Sequence, residues 1–149
     1  LNRQGAKSAK KNNFIWHREV LMEPGRDLDG LARRVIGAAI EVHRVLGPGY
    51  LESVYEGALA VELEHLGIEC ERQATISVLY RGKPVGVARL DLLVAGRLVI
   101  ELKAVDAILP IHQAQLVSYL RATGNPLGLL INFNTRVLRD GIKRIILTQ

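Results

Sequence analysis

One cysteine in 149 residues leaves this chain no internal disulfide and no cysteine-built zinc cluster. Cys70 is expected as a buried thiol in a reducing, cytoplasmic setting. The four histidines, His17, His43, His65 and His112, show no His-x-x-x-His spacing, which argues against a zinc site of that kind. No apolar run approaches the ~20 residues that span a bilayer, so no membrane association is expected. A Gly-rich phosphate loop is missing, and so is any Ser/His/Asp or Cys/His nucleophile arrangement. What charge there is lies unevenly. The net charge is +5, but residues 1–21 carry five basic side chains against Glu19, a net +4. Residues 22–149 are left near neutrality, at +1. The high pI therefore does not by itself mark the body of the chain as a nucleic-acid binder.

That division of charge suggests a division of the chain. Residues 1–26 are polar and basic apart from Phe14-Ile15-Trp16, and they lack the apolar core of a secretory signal. They are expected to form a mobile arm, with a compact domain over 27–149. Met22, the only methionine, is a natural place for an independent domain to begin. A helix is predicted from Leu28 to Leu46, capped by Asp27 or Asp29 and ended by Gly47-Pro48-Gly49. Leu28, Leu31, Val35, Ala38, Ala39, Val42 and Val45 fall at helical spacing on it. A second helix is predicted over Leu51–Leu66, with Leu51, Val54, Tyr55, Ala58, Leu59, Leu63 and Leu66 on one side. The period then changes to that of strands over Thr75–Tyr80, Val85–Val94 and Leu98–Ala104. Pro110 suits the first position of a helix running to Ala122. Leu127–Phe133 reads as a buried strand and Gly141–Leu147 as an edge strand. The order α-α-β-β-β-α-β-β implies an α/β fold, a central mixed sheet flanked by helices.

Asp91, ten residues before Glu101-Leu102-Lys103, is the chemical signal in this pattern. Apolar runs flank Ala95-Gly96-Arg97, a hairpin signal with Gly supplying the positive φ. With those three residues as the loop, Val94 faces Leu98 and Asp91 lies directly opposite Glu101. Such neighbours have Cβ atoms roughly 4.5–5.5 Å apart on one face of the sheet, and Lys103 shares that face. Leu92, Leu98, Ile100 and Leu102 line the other face, while Leu93 and Val99 keep the charged face partly apolar. The strands should then be covered on both sides, with the charges in a cleft. Adjacent carboxylates repel unless a proton or cation intervenes, and a hard divalent cation takes oxygen ligands. The competing reading is a wet hairpin face whose Glu101–Lys103 pair contributes little. A register shifted by one residue would separate the two acids altogether.

Other residues are more ambiguous by themselves. Glu52 and Glu56 lie one helical turn apart; Glu52 reads equally as a solvated carboxylate favoured by the helix dipole. Tyr55 reads as a core residue with its hydroxyl at the rim. His112, Gln115 and Tyr119 share one helix face, lining either a cleft or solvent. His43 reads as a hydrogen-bonded packing residue.

Gly49-x-x-Glu52-x-x-Tyr55, preceded by Ile36–His43 and Leu46-Gly47-Pro48-Gly49, resembles the signature of the bacterial GxxExxY family. Arg89-x-Asp91, Val99–Ala104, His112-x-Ala114-Gln115-Leu116-x-x-Tyr119-Leu120 and Gly128–Phe133 follow in compatible order. The match runs from about Leu28 to Leu147. That family is placed in the PD-(D/E)XK nuclease superfamily, so the resemblance implies a restriction-endonuclease-like α-β-β-β-α-β core. It implies that Asp91, Glu101 and Lys103 form the Asp…Glu-x-Lys triad, with Asp91, Glu101 and Glu52 holding Mg²⁺ or Mn²⁺. The Leu102 carbonyl would offer a further oxygen, and Gln115 and Tyr119 would position substrate. The one departure is Leu90, where a superfamily strand often has Pro before the Asp. A metal-dependent nuclease acting on nucleic acid, DNA rather than RNA, is the expected function, with a homodimer compatible. The alternative is a non-catalytic nucleic-acid- or protein-binding module on the same fold.

Overall fold

The computed structural model describes residues 25–148. The arm expected over 1–26 therefore lies almost wholly outside the described residues. Two helices come first, α1 (Arg26–Leu46) and α2 (Glu52–His65). Three strands follow, β1 (Cys70–Tyr80), β2 (Lys83–Val94) and β3 (Leu98–Lys103). Helix α3 (Pro110–Thr123), strand β4 (Leu127–Asn132), a 3₁₀ turn (Leu138–Gly141) and strand β5 (Ile142–Ile146) complete the order. The strands form one sheet in the order β1-β2-β3-β4-β5. Only β3 and β4 run parallel, because α3 carries the chain back between them; the other pairs are antiparallel. The mixed sheet flanked by helices is the expected restriction-endonuclease-like α/β architecture.

Alternation along β3, together with a change of side in β2 between Leu90 and Leu92, builds a core on each side of the sheet. Leu92, Val94, Leu98, Ile100 and Leu102 pack with Leu28, Val35, Val42, Tyr55, Leu59 and Leu63 from α1 and α2. On the opposite side Leu90, Val99 and Leu130 pack under Leu116 and Leu120 of α3. β3 and β4 are the central strands and are buried on both faces, which is why their sequences read as near-continuous apolar runs. Gly128 lets α3 lie close: a Cβ there would stand 2.9 Å from Leu116 Cδ1.

Local signals account for most boundaries and fail at a few. α1 starts before either predicted cap, at Gly25, two residues ahead of Asp27 and four ahead of Asp29, without a side-chain cap. Asp27 and Asp29 instead sit inside the first turn, where the helix dipole still favours them. Asp29 is drawn to Arg144 of β5 in an ion pair. Val45, Leu51, Val54 and Leu66, predicted on the packed faces of the first two helices, are exposed. Each stands at or near a helix end, beyond the reach of the sheet, with Leu51 77% exposed. Cys70 is half-buried rather than buried, because β1 is an edge strand and Cys70 is its first residue. Among the described residues no helix is long and apolar enough to cross a membrane.

Candidate active site

The β2–β3 register is the one that the Ala95-Gly96-Arg97 loop predicts: Val94 faces Leu98, Leu93 faces Val99 and Leu92 faces Ile100. Ala95 and Gly96 both take left-handed φ, 51° and 65°, which suits the tight turn. The ladder stops one step short of Asp91 and Glu101, and there side chains take over from the backbone. The Leu102 amide donates to Asp91 Oδ2 at 2.8 Å. The Asp91 amide donates to Glu101 Oε1 at 3.2 Å. Each acid thus binds a main-chain N–H of the opposite strand, which holds the two carboxylates close to one another.

Position along the strands sets the electrostatics. Glu101 is 4% exposed, since β3 is central and both faces are covered. Burial, followed by the neighbouring Asp91 charge, pushes its pKa from 4.5 up to about 8. Burial also raises Asp91, reinforced by the charge of Glu56 and opposed by the Leu102 N–H. Glu52, in the first turn of α2, is raised by burial and by Asp91, with Lys103 acting against both. Lys103 is half-buried at the end of β3, and its charge reaches Glu52, Asp91 and Glu101. Four charged groups from α2, β2 and β3 therefore share one field, rather than forming a row of surface ion pairs. A wet hairpin face does not describe this arrangement.

Two carboxylates held side by side out of water need a proton or a cation. Proton retention is what the raised Glu101 pKa expresses. The oxygen-only donor pair also fits a hard divalent cation, since Mg²⁺ is commonly held by one or two carboxylates and keeps several waters. Among the described residues, no three His, Cys, Asp or Glu side chains gather into a complete ligand set. Asp91 and Glu101 are the pair the fold brings together, with Glu52 near enough to feel the charge of Asp91 and to act on Glu101.

The loop before α2 explains where Glu52 stands. Tyr55 is fully buried, its ring stacked on Phe133 at 4.5 Å. Its hydroxyl donates to the Gly47 carbonyl at 2.6 Å and accepts from the Tyr50 amide at 3.1 Å. The Gly47–Tyr50 turn is tied by this latch, and Gly49 adopts φ 111°, a conformation open to glycine. Gly49, Glu52 and Tyr55 thus belong to one structural unit that sets the start of the helix. His43 is a packing residue, with Nε2 2.8 Å from the Thr135 carbonyl oxygen.

On α3 the predicted stripe divides. His112 Nδ1 accepts the Leu109 N–H at 3.0 Å, so this side chain caps its own helix. Gln115 is exposed and lies close to Tyr119, which is half-buried. The Tyr119 hydroxyl is raised by burial and by the Glu101 charge, which puts this end of the stripe beside the acids.

The sequence by itself assigns Glu56, Gln73 and Asn132 no part in the site. Glu56 is 8% exposed and accepts two bonds from Arg72, at 3.2 and 3.0 Å, and one from Gln73 Nε2. Gln73 Nε2 also reaches Asp91 Oδ1 at 3.4 Å. Asn132, buried at the end of β4, accepts the Val105 and Asn134 amides and donates to the Val105 carbonyl. It thereby pins the chain just after Lys103. The Glu52/Glu56 spacing was a usable clue to the first; nothing local announces the other two.

A family model described as the PD-(D/E)XK nuclease superfamily matches residues 29–145, most of the chain. The same span contains every site residue named above. A search among curated proteins finds no match.

Proposed function

Because the chain belongs to the PD-(D/E)XK nuclease superfamily, we propose that it is a divalent-metal-dependent nuclease that hydrolyses phosphodiester bonds in DNA. Within the superfamily we assign it to the GxxExxY branch, on Gly49, Glu52 and Tyr55. The single observation that carries the reading is the Asp91–Glu101 pair, each acid bound to a main-chain N–H of the other's strand and within electrostatic reach of Lys103. Asp91 and Glu101 would hold Mg²⁺ or Mn²⁺, with Glu52 reaching it directly or through water. The ion, when bound, lowers the pKa of a water and stabilises charge on the scissile phosphate. Lys103 orients that water or neutralises the phosphate. Gln115 and Tyr119 position the nucleic acid beside the acids. The single free thiol, Cys70, accords with a reducing, cytoplasmic setting.

A polyanionic substrate also suits the strands that lead into the site. Between Arg72 and Leu90 the chain has four basic side chains and no acidic one. Arg81, Lys83 and Arg89 of this stretch are exposed, and Arg89 stands two residues from Asp91. The rival reading is a binding module without turnover, and the lack of a third converging ligand among the described residues speaks for it.

The test is cleavage of single-stranded DNA, duplex DNA and RNA in Mg²⁺ and in Mn²⁺, comparing wild type with Asp91→Asn and Lys103→Ala. Asp91→Asn should lose both ion binding and cleavage. Lys103→Ala should keep ion binding, because a competing positive charge is gone, yet lose cleavage by roughly 10²-fold or more. A wild type that binds one of these nucleic acids at saturating metal but cuts none would give the case to the binding module.

A further inference from the structure

Opposite Asp91 on the other flank of β2 stands Gln73, where the β1–β2 pairing is interrupted. Arg72 pairs with Leu92 and Ala74 with Leu90, but the step between them forms no pair. Gln73 has φ 52°, a left-handed conformation that costs a long side chain energy and is seldom adopted without cause. Both strands change sides at this step. Arg72 turns to Glu56 on α2, whereas Ala74, two residues on, packs in the α3 cluster. Leu92 packs with α1 and α2, whereas Leu90 joins Ala74 under α3. The kink leaves the Gln73 amide between Glu56 and Asp91, donating to Glu56 Oε1 and, at 3.4 Å, to Asp91 Oδ1.

We propose that Gln73 is a positioning residue for Asp91, anchored in turn by Glu56; the inference rests on the nuclease reading of the same site. Two carboxylates flank the amide, and carboxylates only accept, so the NH₂ end must face them both. Glu56 is committed to this task. Its Oε2 holds Arg72, and its Oε1 holds Gln73. Asp91 is then gripped at both oxygens, Oδ2 by the Leu102 N–H and Oδ1 by Gln73. A neutral donor fixes the carboxylate without cancelling its charge, which leaves that charge available to a cation. An arginine or lysine at position 73 would pair with Asp91 and compete with the ion. A glutamate there would add a third like charge.

Mn²⁺ affinity, measured by calorimetry on the full chain at neutral pH, is the readout. Loss of the group that orients a metal-binding carboxylate commonly weakens affinity about 10–100-fold. Gln73→Gly is the informative variant. Glycine accepts the left-handed backbone, so thermal stability should hold or rise while Mn²⁺ affinity falls by that factor. Gln73→Glu should bind Mn²⁺ more weakly than wild type as well, its carboxylate being forced against two others. Glu56→Gln retains an acceptor for the Gln73 amide and should lose less than Gln73→Gly. A merely structural Gln73 predicts the reverse for glycine: lowered stability and unchanged affinity. That result, with Asp91→Asn abolishing Mn²⁺ binding, would overturn this inference alone. If wild type takes up no Mn²⁺, or takes it up equally with Asp91→Asn, the metal-site reading falls and this one with it.

Discussion

Glu101 combines burial, a facing carboxylate and a main-chain N–H, and burial is the largest of the three influences. A carboxyl held near 8 in the folded chain and near 4.5 when unfolded keeps its proton through a window where the unfolded chain has released it. The sign of the pH dependence follows. The stabilising contribution is full below about 4.5, declines as pH rises toward 8, and is lost above that. Asp91 and Glu52 are shifted in the same direction and deepen the decline. In chelator, the melting temperature should fall between pH 5 and 8, by an amount on the order of a few kcal/mol of stability. Saturating Mn²⁺ should flatten that fall, because the cation stabilises the ionised pair. Ion binding should release protons and tighten as pH rises through the same window. Glu101→Gln, which cannot ionise, should remove most of the pH dependence; thermal melts across pH with and without Mn²⁺ would reveal it. An unchanged slope in Glu101→Gln would show that another group sets the dependence.

Elements differ in how much of their placement is local. The two helices and the β2–β3 hairpin follow from periodicity and from one glycine turn, so the Val94–Leu98 register that brings Asp91 toward Glu101 was legible in the chain. Gln73 and Asn132 were not, because their roles depend on groups far away in sequence: Glu56 and Asp91 for one, Val105 for the other. The helix-end residues Val45, Leu51 and Leu66 were misplaced for a related reason. A helical period says which face is apolar but not where the sheet beneath it ends. Glycines at close approaches make a testable contrast on this scale. A Cβ on Gly141 would overlap the Asn132 carbonyl oxygen and crowd the Thr135 side chain, and a backbone atom cannot step aside. On Gly128 it would crowd the Leu116 side chain, from Cγ outward, and no backbone atom, so repacking of one buried side chain can absorb it. Gly128→Ala should therefore cost about 1–3 kcal/mol. Gly141→Ala should cost more and should loosen the Asn132 contacts that hold the chain after Lys103. Chemical denaturation of the two variants gives the ranking, and amide exchange at Val105 and Asn134 reports the local loosening.

Across the whole molecule, near-neutrality over 22–149 hides a separation of charge. The charges of Glu52, Glu56, Asp91 and Glu101 act on one another around the site, while Lys83 and Arg89 stand exposed on β2 and Arg81 in the turn before it. Val85 and Val87 are exposed between them, and Arg81 lies over the Tyr80 ring at 5.9 Å. A nucleic-acid backbone approaching the site would be repelled by the acids unless a cation were bound, and attracted by the adjoining strands. Binding should accordingly need both the divalent ion and those three cations. Replacing Arg81, Lys83 and Arg89 together by Gln should weaken DNA binding in saturating Ca²⁺, used here so that cleavage does not deplete the complex. The salt dependence of log affinity should become shallower by about one unit for each phosphate contact removed. Calorimetric Mn²⁺ affinity should stay at the wild-type value, since none of the three touches the carboxylate pair. Shortening the chain to begin at Met22 removes a net +4 from a different part of the sequence. That chain should lose nonspecific affinity but keep the dependence on Arg81, Lys83 and Arg89. Fluorescence anisotropy on one labelled duplex over a range of salt concentrations compares all three proteins. If the triple variant binds like wild type while the shortened chain loses its binding, the N-terminal cations hold the substrate and these strands do not.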